Sequence, residues 1–241
     1  LAAYPSQINA SFTNSTGIAT LLRDGIDITS LNNQFQNLAS GYYNFTLNIA
    51  ATQNYSALAI IRFANITKAS TTTTASVSPT SPITYGTASN FSCSNSQGLD
   101  TTLYVDSVNK TNEKGANVTR AAGTYNVNCT SYDNQNYTGS SEQTSYTINK
   151  ATPTASLTNS GAWTITYGTS VTIGLSETNS GDGDLTYKVY RDNVDKGTGE
   201  SVTLGVGSYS YLLNTTGGQN YSSSANLDSN ILVINKSTPS A

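Results

Sequence analysis

Apolar and polar residues alternate in six short stretches of the chain, with the period expected for strands that have one buried face. In three of these stretches one face carries Ile8, Ala10 and Phe12, then Ser89, Phe91 and Cys93, then Val171, Ile173 and Leu175. In the other three it carries Tyr43, Phe45 and Leu47, then Tyr125, Val127 and Cys129, then Tyr209, Tyr211 and Leu213. The pattern predicts two kinds of strand that face each other across a core, each occurring three times.

Four short landmarks recur in the same order, which indicates tandem repeats. A lysine followed by a small residue stands at Lys68, Lys150 and Lys236, and a tyrosine that opens a turn stands at Tyr4, Tyr85 and Tyr167. Gly-x-Tyr begins at Gly41, Gly123 and Gly207, and Gln-Asn-Tyr ends at Tyr55, Tyr137 and Tyr221. The chain is therefore expected to fold as successive copies of one template.

The landmarks predict repeat 1 at residues 1–67, repeat 2 at 68–149, repeat 3 at 150–235, and the start of a further strand at 236–241. Repeats 2 and 3 carry the segments KASTTTTASVSPTSPIT and KATPTASLTNSGAWTIT before the turn tyrosine, whereas repeat 1 has only LAA. We therefore expect repeat 1 to lack its opening strand. The ending KSTPSA resembles the beginning of such a strand, which either pairs with another chain or leads into a next repeat.

About seven short strands for each repeat, with Asp-Gly and Asp-Asn pairs at tight turns, predict an all-β fold of antiparallel β-sandwiches. The many tyrosines, threonines and valines favour strands over helices. No apolar stretch approaches the roughly 20 residues of a membrane-spanning helix.

The two cysteines occupy core positions on the two facing kinds of strand. Cys93 takes the place of Phe12 and Leu175, and Cys129 takes the place of Leu47 and Leu213. We predict a disulfide between them that bridges the two sheets of repeat 2. The alternative is a pair of free buried thiols.

The composition excludes several classes of function. Charged residues are 10% of the chain, the formal net charge is −3 and the isoelectric point is about 4.8, which argues against nucleic acid or anionic lipid as a partner. The sequence has no histidine and no serine or cysteine beside an evident base. We therefore expect no enzyme activity and no cofactor.

Three weaker candidates accompany these predictions. Asp182 and Asp184 in a glycine-rich turn are a weak calcium site, with a solvated turn as the alternative. The recurring tyrosines of Gln-Asn-Tyr are expected to pack within their own repeats rather than to bind sugar. Trp163 has no counterpart in the other repeats and is a candidate for a contact between repeats or subunits.

Sequons for N-linked glycans are dense, which predicts a glycosylated extracellular surface, with plain surface polarity as the alternative. They stand at Asn9, Asn14, Asn44, Asn54, Asn65, Asn90, Asn109, Asn117, Asn128, Asn136, Asn214, Asn220 and Asn235. Four of them, Asn9, Asn44, Asn90 and Asn128, fall on the outward phase of their predicted strands.

The opening KATPT at residues 150–154, YGTSVT at 167–172, the Gly-x-Tyr segments and the late Asn-Tyr pairs resemble the immunoglobulin-like repeats of bacterial and archaeal cell-surface proteins. This resemblance covers essentially the whole chain. It implies three tandem immunoglobulin-like antiparallel β-sandwiches, the first without its opening strand. With the sequons, it points to archaea more readily than to bacteria.

We therefore expect a structural extracellular protein, a subunit of a cell-surface filament or rod in which copies join head to tail by strand complementation. The expected contact brings one subunit's Lys236 and Pro239 to the next subunit's Tyr4, Ile8, Ala10 and Phe12. The alternative is a spacer or stalk of a longer adhesin or S-layer-like protein, with ligand recognition elsewhere. An accessory domain of an enzyme is a third possibility.

Overall fold

The computed structural model describes residues 2–14, 17–179 and 181–239, and it confirms the predicted all-β class. Three pairs of sheets follow one another along the sequence and form tandem immunoglobulin-like sandwiches. Within these ranges there is no α-helix, and two short 3-10 helices occupy Thr29–Leu31 and Thr111–Glu113. No helix in the described part is long and apolar enough to cross a membrane.

Repeat 1 contains one large sheet and one small one. Its described strands are β1 (Ala2–Ala3), β2 (Ser6–Asn9), β3 (Ala19–Arg23), β4 (Ile26–Asp27), β5 (Phe35–Leu38), β6 (Gly41–Ile49) and β7 (Leu58–Thr67). The large sheet has the order β1-β7-β6-β3-β4, with β1 parallel to β7, and the small sheet consists of β2 and β5 alone.

Repeat 2 has the same plan with one more strand. Its described strands are β8 (Thr73–Ser78), β9 (Ile83–Thr84), β10 (Ser89–Asn95), β11 (Thr101–Val105), β12 (Val108–Asn109), β13 (Asn117–Val118), β14 (Gly123–Ser131) and β15 (Ser140–Asn149). The small sheet has the order β13-β10-β8 and the large sheet β12-β11-β14-β15-β9.

Repeat 3 matches repeat 2 strand for strand. Its described strands are β16 (Ala155–Asn159), β17 (Thr164–Thr166), β18 (Val171–Glu177), β19 (Thr186–Arg191), β20 (Val194–Asp195), β21 (Glu200–Val202), β22 (Gly207–Gly217) and β23 (Ser224–Asn235). The sheets have the orders β16-β18-β21 and β17-β23-β22-β19-β20.

The opening strand is the difference between repeat 1 and the other two. In repeats 2 and 3 this strand, β8 or β16, is the third member of the small sheet and pairs with β10 or β18. Among the described residues of repeat 1 no strand takes that place beside β2. Within the described residues, the small sheet of repeat 1 therefore has one strand fewer than the small sheets of repeats 2 and 3.

By their internal contacts the residues divide into two compact units. Unit 1 comprises Leu1–Ser76, Ser92–Lys114 and Val127–Thr144, and unit 2 comprises Val77–Phe91, Gly115–Asn126 and Ser145–Ala241. Repeat 1 therefore lies in unit 1 and repeat 3 lies in unit 2, whereas residues of repeat 2 belong to both.

Each unit has an apolar core made by the alternating residues of its strands. In unit 1 the buried cluster of repeat 1 consists of Leu21, Ile28, Leu38, Phe45 and Ile66. In unit 2 the buried cluster of repeat 3 consists of Leu157, Val171, Ile173, Val189, Tyr211, Leu213, Leu232 and Ile234. Phe91 and Tyr146, also in unit 2, pack edge to face with ring centroids 5.0 Å apart.

The predicted disulfide between Cys93 and Cys129 is present, with a Cα–Cα distance of 5.6 Å. It joins β10 of the small sheet to β14 of the large one. The cross-link therefore closes the core of repeat 2 at positions that hydrophobic side chains fill in the other repeats.

Removal of the disulfide is expected to destabilise unit 1. Reduction restores loop entropy to the unfolded chain and lowers the free energy of unfolding by about 2–4 kcal/mol. Urea unfolding of the oxidised and reduced protein measures this difference, and reduction leaves both side chains in place. A variant with Cys93→Ala and Cys129→Ala should show at least the same loss. An unchanged unfolding midpoint after reduction is the contrary result.

Candidate assembly site

The first candidate site is the free edge that the missing strand leaves in repeat 1. The Asn33 amide donates to the Ala10 carbonyl (3.1 Å), and the Phe12 amide donates to the Asn32 side chain (2.9 Å), so these backbone groups face the β5 side. Because successive residues of a strand turn to opposite sides, the backbone groups of Ser11 face the other side. No described strand pairs with that side.

A groove of about 620 Å³ runs along this edge. It is lined by Ile8, Ala10, Phe12, Leu21, Phe45, Leu47, Ile60, Arg62 and Ala64, among others. In the complete repeats the residues corresponding to Ala10 are Phe91 and Ile173, which are 1% and 0% exposed. Ala10 itself is only half-buried. The core of repeat 1 is therefore open where the other repeats are covered by their opening strands.

The groove differs from its counterparts in one polar contact. In repeat 2 the Glu142 carboxylate accepts the Ala75 amide of the opening strand (2.6 Å), and in repeat 3 Asp228 accepts the Leu157 amide (2.7 Å). The corresponding residue in repeat 1 is Ile60. A strand in this groove would thus pack against an apolar side chain instead of a carboxylate.

The structure brings together four of the residues predicted for assembly. Tyr4, Ile8, Ala10 and Phe12 all pack against the buried cluster of repeat 1. Lys236 and Pro239 are exposed beyond the end of β23, whereas Ser240 and Ala241 lie outside the described residues. The contact of this segment with the edge of another copy stays a prediction.

Trp163 occupies a different place from the one expected for a contact between repeats. It is half-buried against the core of its own repeat, with its ring centroid 6.1 Å from that of Tyr211. This position follows from its location beside β17, where the alternation continues inward. A contact of Trp163 with another subunit stays a prediction.

The second candidate site is the joint between successive repeats, which recurs in both units. In unit 1 the ring of Tyr137 packs edge to face on Tyr4 of repeat 1, with centroids 5.3 Å apart. The Ser40 amide donates to Oδ1 of Asn136 (2.9 Å), and Nε2 of Gln135 donates to the Ser40 carbonyl (2.6 Å). The Gln-Asn-Tyr loop of repeat 2 thus binds the turn tyrosine of repeat 1 and the residue before its Gly-x-Tyr.

The same contacts recur in unit 2 between repeats 2 and 3. The rings of Tyr85 and Tyr221 pack edge to face with centroids 5.6 Å apart. The Ala122 amide donates to Oδ1 of Asn220 (2.9 Å), and Nε2 of Gln219 donates to the Ala122 carbonyl (2.8 Å). The two joints therefore have the same arrangement, in which the same Gln, Asn and Tyr side chains make the same contacts.

The residue that follows the lysine landmark completes each joint. The Ala69 amide donates to the Asn136 carbonyl (2.9 Å), and the Ala69 carbonyl accepts the Thr138 amide (2.9 Å). In the second joint Ala151 bonds in the same way to the carbonyl of Asn220 (2.8 Å) and the amide of Ser222 (2.9 Å). The linker between repeats is thus bonded to the loop that makes the joint.

These contacts correct the role predicted for the Gln-Asn-Tyr tyrosines. Packing within their own repeats was expected, but Tyr137 and Tyr221 pack on tyrosines of the preceding repeats. The reason is that their loops lie at the end of the sandwich that meets the previous repeat. Tyr55 of repeat 1 has the same loop and is 60% exposed.

Asp182 and Asp184 stabilise the loop of the second joint. Asp182 accepts the Asn220 amide (2.7 Å), and Asp184 accepts the Gln219 amide (3.1 Å). The hydrogen bond with the Asp182 carboxyl, and then the bond from Gln219, hold the pKa of Asp184 below its ordinary value. Within the described ranges, no group of three or more His, Cys, Asp or Glu side chains is placed to hold a metal ion.

The sequon prediction is wrong at Asn220. This residue is 5% exposed, and its Nδ2 donates to the Gly181 carbonyl (2.9 Å), so a glycan on that nitrogen has no room. Asn136 is half-buried in the equivalent joint. Exposed sequon asparagines are Asn9, Asn54, Asn65, Asn109, Asn117 and Asn235, and half-buried ones are Asn14, Asn44, Asn90, Asn128 and Asn214. Glycosylation of these stays a prediction.

No known family model matches the chain, and no curated protein matches it in sequence. Among solved structures it is similar to fibronectin(III)-like modules of CbhA from Clostridium thermocellum, with 15% identity and a TM-score of 0.30 over 68% of this chain and 95% of that one. It is also similar to domains 4–9 of the surface layer protein SbsC, with 10% identity and a TM-score of 0.22 over 96% of this chain and 42% of that one.

Similarities this low carry no argument about function, and the class of the protein rests on the sheets described above. Those sheets define a chain of tandem immunoglobulin-like β-sandwich modules.

Loss of the asparagine side chain in a joint is expected to destabilise unit 2. Asn220→Ala leaves the buried Ala122 amide without its acceptor, at a cost of about 1–3 kcal/mol. Urea unfolding followed by the fluorescence of Trp163, the single tryptophan, measures the loss. Asn226→Ala is the matched control and should leave stability unchanged, because Asn226 is exposed on β23 of the same repeat and belongs to no joint. Equal effects of the two substitutions would count against the joint.

Proposed function

We propose that this chain is a structural extracellular protein, a subunit of a cell-surface filament whose copies join head to tail by strand complementation. The observation that carries the proposal is the groove of repeat 1, which is open along the edge where the other repeats hold an opening strand. An unpaired strand edge above an incompletely covered core favours pairing with another chain.

The opening strands of the complete repeats support a proposal for the kind of strand that such a groove accepts. In repeat 3 strand β16 runs antiparallel to β18, from Ala155 opposite Glu177 to Asn159 opposite Ile173. Leu157 of that strand is buried in the core. Because repeat 1 shares the template, its groove accepts a strand with the same alternation, paired with Ala10 to Asn14.

The segment from Lys236 is the proposed donor. Lys68 and Lys150 begin the linkers that lead into β8 and β16, and Lys236 begins the same kind of sequence. In repeat 3 the linker from Lys150 leads into β16 at Ala155, opposite Glu177, so the segment from Lys236 would enter the groove of repeat 1 from the corresponding Asn14 end. A second copy of this chain is therefore the partner that we assign to the groove.

Two further observations support an extracellular setting. The Cys93–Cys129 disulfide fits an oxidising compartment, because thiols in the cytosol are kept reduced. The exposed sequons provide acceptors for N-linked glycans on the same surface. The domain limits at residues 67, 149 and 235 belong to this proposal, as does a structural and not catalytic role.

A second candidate function is a spacer or stalk within a longer surface protein that recognises its ligand elsewhere. The observation that favours it is the joint, since identical joints between successive repeats suit any tandem array. The two functions differ in whether separate copies of the chain associate.

The test measures two quantities: the binding of a separate peptide strand to the protein, and the self-association of the protein. A fluorescent peptide with the sequence of residues 150–159 should bind the protein saturably in an anisotropy titration, whereas the same peptide with Leu157→Asp should not. Light scattering after gel filtration should show oligomers that grow with concentration, and an excess of the binding peptide should reduce them to monomers.

A pair of variants isolates the free edge. Ser11→Pro removes the amide that faces the open side and should weaken both peptide binding and assembly at least tenfold. Ser11→Ala keeps that amide and should behave as the wild type. A monomeric protein at every concentration, even one that binds the peptide, would favour the spacer function and contradict the filament.

A further inference from the structure

The chain carries three copies of each half of the joint, and the internal joints use only two of each. One half is the Gln-Asn-Tyr loop, and the other is the turn tyrosine with the residue before Gly-x-Tyr. In the loop of repeat 1, Gln53, Asn54 and Tyr55 are all exposed. At the other end of the sequence Tyr167 and Val206 of repeat 3 are 55% and 51% exposed.

We propose that these two free halves bind each other between copies of the chain, so that Gln53, Asn54 and Tyr55 of one copy dock on Tyr167 and Val206 of another. This inference rests on the proposed head-to-tail assembly and names a second contact that accompanies the strand in the groove.

Both free halves already have the backbone structure of the joined ones. The Thr52 amide donates to the Tyr55 carbonyl (2.9 Å), as the Asn134 amide does to Tyr137 (3.1 Å) and the Gly218 amide to Tyr221 (3.0 Å). The exposed loop of repeat 1 is therefore closed by the same backbone hydrogen bond as the joined loops. Little ordering is needed before it binds.

The receiving half is equally well formed in repeat 3. The Tyr167 amide donates to the Asn235 carbonyl (2.8 Å), which matches Tyr4 with Thr67 (3.0 Å) in repeat 1. The hydroxyl of Tyr209 donates to the Gly205 carbonyl (3.1 Å), as that of Tyr43 does to Ala39 (2.9 Å). The backbone beside Val206 is thus held as it is beside Ser40.

The chemistry of the two halves is complementary. By analogy with the internal joints, Oδ1 of Asn54 accepts the Val206 amide, Nε2 of Gln53 donates to the Val206 carbonyl, and Tyr55 packs edge to face on Tyr167. Docking would cover a tyrosine on each partner and satisfy the polar groups around it. The partner this surface fits is a second copy of the same chain.

At Asn54, glycosylation and the proposed contact between copies exclude each other. Asn54 begins a sequon and is exposed, whereas the corresponding Asn220 is buried with its Nδ2 engaged. A glycan on Asn54 therefore prevents the joint. Chains recovered from assembled material should carry no glycan at Asn54, which mass spectrometry of the peptide measures.

The direct test is a double-mutant cycle on self-association, measured by sedimentation velocity. Tyr55→Ala and Tyr167→Ala should each weaken the association constant about three- to tenfold, and the double variant should be no weaker than the weaker single variant. Tyr132→Ala is the control, because Tyr132 is 60% exposed in repeat 2 and belongs to neither half. It should leave association unchanged.

The outcomes separate this inference from the strand contact. If Ser11→Pro weakens association and neither tyrosine variant does, the joint between copies is overturned while strand complementation stands. If the tyrosine variants weaken association with a coupled cycle and Ser11→Pro does not, the joint stands without the strand. Additive losses in the double variant would show that the two tyrosines do not contact each other and would overturn the inference. A wild-type chain that stays monomeric overturns both contacts.

Discussion

The pairing of strand edges is the constraint on which this molecule depends. Each sandwich is small, and its opening strand both supplies backbone partners to the neighbouring strand and covers one side of the core. In the complete repeats this leaves Phe91 and Ile173 almost without exposure. Without the strand, the same position in repeat 1 is Ala10, half-buried beside an open groove. The open edge of β2 and the proposed assembly thus both follow from the two-stranded small sheet of repeat 1.

The joint adds a second, polar constraint to the apolar one. A groove that binds any strand with alternating apolar and polar residues would discriminate little between partners, because all strands offer the same backbone hydrogen bonds. In the joint, specific side chains make the contact: Asn220 and Gln219 form hydrogen bonds with the backbone of Ala122. In the proposed assembly, the exposed halves of repeats 1 and 3 fit each other because the same arrangement occurs at both internal joints. Strand affinity and joint geometry would together define which repeat of one copy meets which repeat of another.

Much of the fold could be predicted from the alternation of apolar and polar residues, because an alternation with a period of two residues between turns indicates a half-buried β-strand. The β-sandwich strands and the Cys93–Cys129 disulfide were predicted on that basis and are present. The joint was missed because a tyrosine that recurs at the same position in each repeat could pack either inside its repeat or between repeats. The sequence did contain one signal for the joint: Gln and Asn recur beside the tyrosine, and a purely apolar contact would require neither residue. The prediction of a glycan at Asn220 was wrong for a related reason, because the sequence does not show that this asparagine is buried in a joint.

The central claim is that another chain supplies the strand beside Ser11. Amide hydrogen exchange of the Ser11 and Thr13 amides, compared at low and high protein concentration, tests it most directly. The account predicts rapid exchange in the monomer and strong protection once copies associate. That protection should match Gly174 and Ser176, the corresponding residues of repeat 3, which pair with Thr158 and Ser156 of the opening strand β16. Associated chains in which Ser11 and Thr13 still exchange as rapidly as in the monomer would contradict it.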